Sequence, residues 1–287
     1  MKYLFIISLV TLFFLSLFYY QKTTIEDHTF QVTVCDVGQG DAIHFRTPTG
    51  IDILYDGGPD DSVMDCLFRS MPFWDREIEL VILSHPHADH LDGLIDVLGS
   101  YRVKRFVTEE LANSTDGYKE LVTLLEQKKI AMEYVVRGDV IRTPDQVHFK
   151  ILSPTDEFLK LTAREGKYIP RSGEFANLIV HVQYGEFDML LTGDSQKEQV
   201  SEAIIGRLGD IELLQVPHHG SRTGLSPEIL DVLKPEFASI SVSNTNDYGH
   251  PHPLILDMLS DDEISIHRTD QQGSLRLKSD GKTYNIK

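Results

Sequence analysis

Ser84-His85-Pro86-His87-Ala88-Asp89-His90 is an H-x-H-x-D-H run set between two segments of different periodicity. Before it, Leu80-Val81-Ile82-Leu83 is continuously apolar, the pattern of a short strand buried on both faces. After it, Leu91, Leu94, Ile95 and Leu98 recur at i, i+3, i+4 and i+7, which predicts one apolar face of a helix. The run therefore reads as a strand end turning into a helix. Alternation along the extended part sends His85 and His87 to one side, and Asp89 and His90 fall where the helix begins. Three imidazoles and a carboxylate in six residues are the nitrogen and oxygen donors that zinc or manganese prefers. A polar surface turn is the plainer alternative, and so many ligand groups at the end of a buried strand speak against it.

The rest of the chain sets bounds on that reading. Its 287 residues allow one large or two small domains. Only the N-terminus breaks the globular pattern: from Tyr3 to Tyr20 the polar residues are Ser8, Thr11 and Ser16. That length suits a membrane span better than a signal-peptide core, and no small-x-small cleavage site follows. Residues 1–24 are read as a signal anchor, with a cleaved signal peptide as the alternative, and residues 25–287 as the folded domain. Lys2, against an exit that soon turns acidic at Glu26 and Asp27, favours the N-terminus inside and the domain outside the cytoplasm. Cleavage would leave the domain secreted or periplasmic. Cys35 and Cys66 are the only cysteines. Two separate buried thiols are expected, with a disulfide in an oxidising compartment as the alternative. The net charge of −17 argues against a general nucleic-acid binder, which usually shows a basic face. The small basic groups (Arg102, Lys104, Arg105; Lys128, Lys129; Arg164, Lys167, Arg171) are read as solvated surface.

Along the chain, strands are expected at Phe30–Val34, Asp41–Arg46 and Ile51–Tyr55, the last ending in Asp56-Gly57-Gly58. Trp74, with Phe73 and Met71, is read as core or loop packing. A strand at Val103–Val107, a helix at Tyr118–Gln127, and strands at Met132–Val136 and Val147–Leu152 follow. Thr155–Gly173 loses all pattern and is read as a long loop over the site. Leu178–Gln183 and Phe187–Leu191 form a hairpin that ends in Thr192-Gly193-Asp194. A helix opening on the capping box Ser195-x-x-Glu198 comes next. Ile211–Val216 then leads into Pro217-His218-His219-Gly220-Ser221. A helix with Ser226 as N-cap and Pro227 at N1 precedes a strand at Phe237–Val242. The chain closes with Tyr248-Gly249-His250-Pro251-His252 and short strands at Ile264–His267 and Leu275–Lys278. This order predicts a layered α/β domain with helices packed outside sheets.

Asp56, the 85–90 run, Asp194 and His218/His219 all follow apolar strands on Gly- or Pro-containing turns. Seven of the twelve histidines fall in the windows 85–90, 218–219 and 250–252, which an even scatter would not produce. With these motifs assembled, the chain resembles metallo-β-lactamase-fold hydrolases. It resembles most of all the metallo-β-lactamase-like domain of ComEC-type competence (DNA-uptake) proteins. The stretches that carry the resemblance are Asp36-Val37-Gly38-Gln39-Gly40-Asp41-Ala42, Tyr55-Asp56-Gly57-Gly58, the 84–90 run, Leu191-Thr192-Gly193-Asp194, Val216-Pro217-His218-His219-Gly220-Ser221 and Tyr248-Gly249-His250-Pro251.

The resemblance implies a four-layer αββα sandwich holding two divalent metal ions, zinc or manganese. By position, His85 and His87 would hold the first and Asp89 and His90 the second. Asp194 would bridge them and His219 would complete the second, with His218 as the fallback ligand, an outer support or a proton donor. Asp56 would brace the histidine loop. One departure stands out. The third histidine that such folds supply to the first metal is missing from Gly173-Glu174-Phe175-Ala176-Asn177-Leu178. The first position is therefore expected to be weak, or completed by Asn177, Glu174 or water. Asp41 either lines the site or caps a strand. His250 is placed at the site rather than in a plain turn. His44, His148, His181 and His267 lie within strands and are read as surface or satisfied packing positions.

The chemistry implied is hydrolysis by metal-activated water, with Asp89 orienting the nucleophile and His218 or His250 serving the leaving group. No Ser-His-Asp or reactive-cysteine arrangement competes, and Gly38-Gln39-Gly40 lacks phosphate-loop spacing. A membrane-anchored phosphodiesterase or nuclease acting on DNA outside the cytoplasm is the first expectation. A metallo-hydrolase of a lactam, lactone or thioester is the second. A non-enzymatic, metal-stabilised binding module of an uptake or envelope assembly is the third.

Overall fold

The structure is a computed structural model that describes residues 2–25, 27–162 and 176–286. In chain order, α1 (Lys2–Ile25) precedes β1 (Phe30–Val34), β2 (Ile43–Arg46), β3 (Asp52–Tyr55) and α2 (Ser62–Ser70). Then come β4 (Glu77–Ile78), β5 (Leu80–Ile82), α3 (Ala88–Ser100), β6 (Arg102–Val103), β7 (Phe106–Thr108), α4 (Asp116–Lys128) and β8 (Met132–Tyr134). The second half begins with β9 (Val140–Arg142), β10 (His148–Ser153), α5 (Asp156–Thr162), β11 (Ile179–Tyr184), β12 (Phe187–Leu191) and α6 (Lys197–Ile204). It continues through β13 (Leu213–Gln215), a 3-10 turn (Pro217–Gly220), α7 (Pro227–Leu233), β14 (Phe237–Ile240) and α8 (Pro253–Asp261). It ends with β15 (Ser265–Arg268), α9 (Thr269–Gln272), β16 (Leu275–Ser279) and β17 (Tyr284–Ile286).

These strands form two large mixed sheets, ordered β17-β16-β1-β2-β3-β5-β7-β8 and β15-β14-β13-β12-β11-β10-β9. Period-two alternation builds the layers. Ile53 and Tyr55 of β3, with Leu80 and Ile82 of β5, face Phe149, Val180, Met189 and Leu191 of the other sheet. The intervening Leu54 and Val81 turn outward under Leu67, Leu91, Leu94 and Leu121 of α2, α3 and α4. Leu190 and Leu214 turn to the opposite side, under Val200, Ile229 and Ile255 of α6, α7 and α8. The fold is thus the expected αββα sandwich. β3, β5, β7 and β8 run parallel, as do β12, β13, β14 and β15, so their C-terminal ends share one edge of the molecule.

Several expectations need correction. The two cysteines are bonded to each other, with Cα atoms 5.7 Å apart. Cys35 closes β1 and Cys66 lies on the buried face of α2, and only the packing of helix on sheet brings them together. The link closes a loop across a sequence separation of 31 residues. Cys35→Ser with Cys66→Ser should therefore cost about 3–4 kcal/mol. Differential scanning calorimetry should read this as a midpoint lower by roughly 10 °C.

The stretch from Thr155 is not all loop, because Asp156–Thr162 is helical. Thr155 Oγ1 accepts from Phe158 N at 3.0 Å, Lys160 pairs with Asp156, and Leu159 packs on Leu111 and Ala176. The remainder of that expected loop, from 163, lies outside the described residues, as do Glu174, Arg164, Lys167 and Arg171. The capping box before α6 uses Gln196 and Gln199 rather than Ser195 and Glu198. The strand expected at Val103–Val107 is two strands, β6 pairing with β4 and β7 with β5. Arg102, Lys104 and Arg105 are held by Glu77, Glu79 and Glu133, so this basic group is locally neutralised.

Candidate metal centre

The shared sheet edge is where the polar turns arrive. β3 delivers Asp56, β5 delivers Ser84 and the histidine run, β12 delivers Asp194, and β13 delivers His218 and His219. Asp56 is fully buried, and its carboxylate organises the loop. Oδ1 accepts from Ser84 N at 2.7 Å; Oδ2 accepts from Ser84 Oγ at 2.7 Å and from His90 Nδ1 at 2.8 Å. Burial raises the Asp56 pKa to about 6 against the opposing pull of His90. Because Ser84 Oγ donates to Asp56, it accepts from His85 Nδ1 at 3.0 Å. On the far side, His219 Nδ1 donates to the Ser241 carbonyl at 2.9 Å. One carboxylate, one hydroxyl and one carbonyl thus occupy the Nδ1 atoms of His90, His85 and His219, leaving each Nε2 to face the interior of the site.

Those Nε2 atoms converge. His90 Nε2 lies 3.3 Å and His219 Nε2 3.4 Å from Asp194 Oδ1. All three atoms are buried without a hydrogen-bond partner among the described residues. Leaving three such atoms unpartnered costs several kcal/mol, and a cation at their meeting point would satisfy all of them. The other Asp194 oxygen, Oδ2, lies 3.9 Å from His85 Nε2, which is itself 2.9 Å from His87 Nδ1. Two ligand groups result, Asp41/His90/Asp194/His219 and His85/His87/Asp194, and they share Asp194. The donor set fits a pair of divalent cations.

The electrostatics agree with that fit. Burial disfavours a charged His90, yet the carboxylates of Asp194, Asp89 and Asp56 hold its pKa well above the ordinary histidine value. Burial likewise opposes protonation of His219, and Asp194, Asp41 and Asp89 outweigh it, raising the pKa to about 9. Asp194 is held well below the usual carboxylate range, since His90 and His219 overcome its burial. Burial and the neighbouring His90 push His85 well below the histidine range. The carboxylates that raise these two values are the charges a cation at the same point would meet.

The remaining predicted residues fall into two groups. Asp89 lies on the Nε2 side, 3.5 Å from His219 and 3.9 Å from His90, and stays partly open to solvent. His218 Nε2 is 3.4 Å from Asp194 Oδ2, the same oxygen that lies 3.9 Å from His85 Nε2. His218 and His219 both have left-handed φ, 52° and 55°, a strained turn that aims both rings at Asp194. The His250 ring sits 5.5 Å from that of His218, with Tyr248 stacked on its outer side at 5.8 Å. Burial, then His218 and His219, lower the His250 pKa to about 4.

Asp41, although grouped with His90, Asp194 and His219, approaches the two imidazoles from their Nδ1 edges, 3.8 Å from His90 and 4.0 Å from His219, and adds negative charge there. Asn177 Oδ1 accepts from Asp194 N at 3.1 Å, which commits the amide to positioning Asp194. Sequence reasoning missed Ser84 and Ser241. Ser84 had a signal, standing directly before the first histidine, whereas Ser241 had none, because its carbonyl acts and not its side chain. His44, His181 and His267 are satisfied away from the site by Asp52, Asp188 and the Gly273 carbonyl. His252 caps α8.

Residues 35–241 match the Metallo-beta-lactamase superfamily, and the chain belongs to that family. Within it, the chain is 28% identical over 267 residues to ComE operon protein 3 of Bacillus subtilis, covering 86% of this chain and 33% of that protein. It is 29% identical over 256 residues to Recombination protein 2 of Haemophilus influenzae, covering 87% of this chain and 29% of that protein. The chain therefore spans about a third of the length of these relatives. The metallo-beta-lactamase fold protein YhfI from Bacillus subtilis superposes with a TM-score of 0.51 at 11% identity, covering 83% of this chain and 95% of that one, a likeness of fold.

Proposed function

We propose that this chain is a membrane-anchored, metal-dependent phosphodiesterase acting on DNA outside the cytoplasm. The observation that carries the hydrolase reading is the single buried carboxylate, Asp194, shared by two ligand groups, with its Oδ1 and the inward Nε2 atoms of His90 and His219 buried and without a hydrogen-bond partner among the described residues. His90, Asp194 and His219, with Asp89, would hold one cation; His85, His87 and Asp194 would hold the other, with His218 beside it. When bound, such a pair supplies Lewis acidity and a water activated at neutral pH.

The chain's own residues do the rest. Asp89, kept below the ordinary carboxylate range by His90 and His219 despite burial, is ionised and a poor base. It orients the attacking water by accepting a hydrogen bond. His218, at the open rim, faces the leaving oxygen and donates its proton. His250 is neutral at pH 7 and offers an N–H to a substrate oxygen. The phosphodiester substrate is supported by the relative named Recombination protein 2. The extracytoplasmic placement is supported by α1, which is long and apolar enough to cross a membrane, and by the Cys35–Cys66 bond, which belongs to oxidising compartments.

The test is the full chain in detergent, stripped with chelator and reloaded with Mn²⁺ or Zn²⁺. Cleavage of DNA and of bis-p-nitrophenyl phosphate is expected, with no turnover of nitrocefin or a thioester. The converse pattern would assign a carboxyl substrate, and metal uptake with no turnover at all would leave a binding module; either result sinks the proposal.

A further inference from the structure

We propose that Trp74, with Phe73 packed against it, forms a lipid-contacting face that seats the domain on the bilayer at the pole opposite the metal centre. The inference rests on the reading of α1 as a membrane span. The tether is short: α1 ends at Ile25 and β1 begins at Phe30. Four residues reach at most about 14 Å, so the domain stays at the membrane surface.

The helix also touches the domain along its last two turns. The Phe18 ring lies 4.6 Å from that of Trp74, Phe73 N donates to Gln21 Oε1 at 2.9 Å, and the Phe73 and Trp74 rings meet edge to face at 4.9 Å.

Length then fixes depth. A hydrocarbon core of about 30 Å needs about 20 helical residues. The apolar stretch available runs from Lys2 to Thr23. Counted from Tyr3, the core ends near Lys22, which leaves Phe18 about 6 Å below the boundary. The Trp74 ring, 4.6 Å from that of Phe18, can rise to within about 2 Å of that boundary, close to the depth where tryptophan is favoured. Trp74 is 37% exposed and Phe68, on the last turn of α2, is 56% exposed. In a soluble domain these are uncovered aromatic surfaces, and Trp74 adjoins the anchor helix through Phe18. Lys22, Arg69 and Arg276 are exposed at the same exit, with Ile25, Arg69 and Arg276 lining one cleft. Cations so placed suit lipid phosphates, in a chain whose overall net charge is −17.

Orientation follows from strand direction. β1, β3 and β5 all start at this pole and end at the metal centre. Along Leu80–Ile82 alone the chain climbs about 7 Å. The candidate site therefore opens away from the bilayer, and substrate reaches it from water.

Trp74 is the sole tryptophan, so it reports its own depth. The full chain is reconstituted in phosphatidylcholine–phosphatidylglycerol vesicles containing lipids brominated either near the headgroup or near the chain end. Trp74 should lose roughly half its fluorescence to the shallow bromines and much less to the deep ones, as an interfacial indole would. A chain that floats with the vesicles but whose fluorescence neither lipid quenches would overturn the seating and leave the anchor standing. A chain that does not float would overturn the anchor, and the seating with it.

Discussion

Asp194→Asn should strip the protein of metal and of turnover together. The substitution keeps the shape of the side chain and removes the one charge that both ligand groups share. Loss of a residue that merely supports a ligand costs 10–100-fold in affinity or activity, so loss of the shared ligand should exceed about 10²-fold in turnover. Metal bound per chain, read by elemental analysis after reloading, should fall for both positions rather than one. His87→Ala should empty mainly the first position, since His87 Nδ1 stands 2.9 Å from His85 Nε2. His148→Ala, on a strand remote from the site, serves as the unaffected control. An Asp194→Asn protein that melts normally and retains both metal and turnover would dismiss the centre described here.

Metal affinity should climb steeply with pH up to about 9. His219, with a pKa raised to about 9, and His90, raised well above the ordinary value, carry protons at neutral pH in the metal-free protein. A cation must displace those protons to reach the Nε2 atoms. Each proton released makes affinity rise roughly tenfold per pH unit below the relevant pKa. The sign for the metal-free fold is opposite. Both pKa values are raised by folding, so the stabilisation that the carboxylates gain from protonated His90 and His219 is fully present below about pH 6.5. It is lost as pH rises through about 9. Metal removal should thus destabilise the protein more at pH 9 than at pH 6.5. Calorimetric titration in two buffers of different ionisation enthalpy should show one to two protons released near neutrality. A flat affinity across this range would mean that the two histidines are not the ligands.

The H-x-H-x-D-H run, the T-G-D turn and the paired histidines were legible because each ends an apolar strand, and a strand end on a Gly or Pro turn is a local property. The continuous apolar run Leu80-Val81-Ile82-Leu83 was enough to predict a strand buried on both faces, the order of strands and helices was enough to predict sheets with helices outside, and motif order was enough for the family. Where the signal was a single residue type, it failed. Cys35 and Cys66 look like two unrelated thiols until α2 is laid on the sheet. The helix at Asp156–Thr162 is held by its capping threonine and by contacts of Leu159 with Leu111 and Ala176, of which only the first is local in sequence.

What the sequence alone determined is the inventory: which side chains can bind a cation, on which strand ends they stand, and that an apolar helix precedes them. Only the tertiary structure decided how those side chains face. It set the Nδ1 atoms of His90 and His219 against Asp56 and the Ser241 carbonyl, brought Asp41 to the Nδ1 edges of the imidazoles, and tied Asn177 to the Asp194 backbone. The reason is physical. Identity and periodicity are written along the chain, whereas which nitrogen of a histidine is left free depends on a partner that another strand brings across the sandwich.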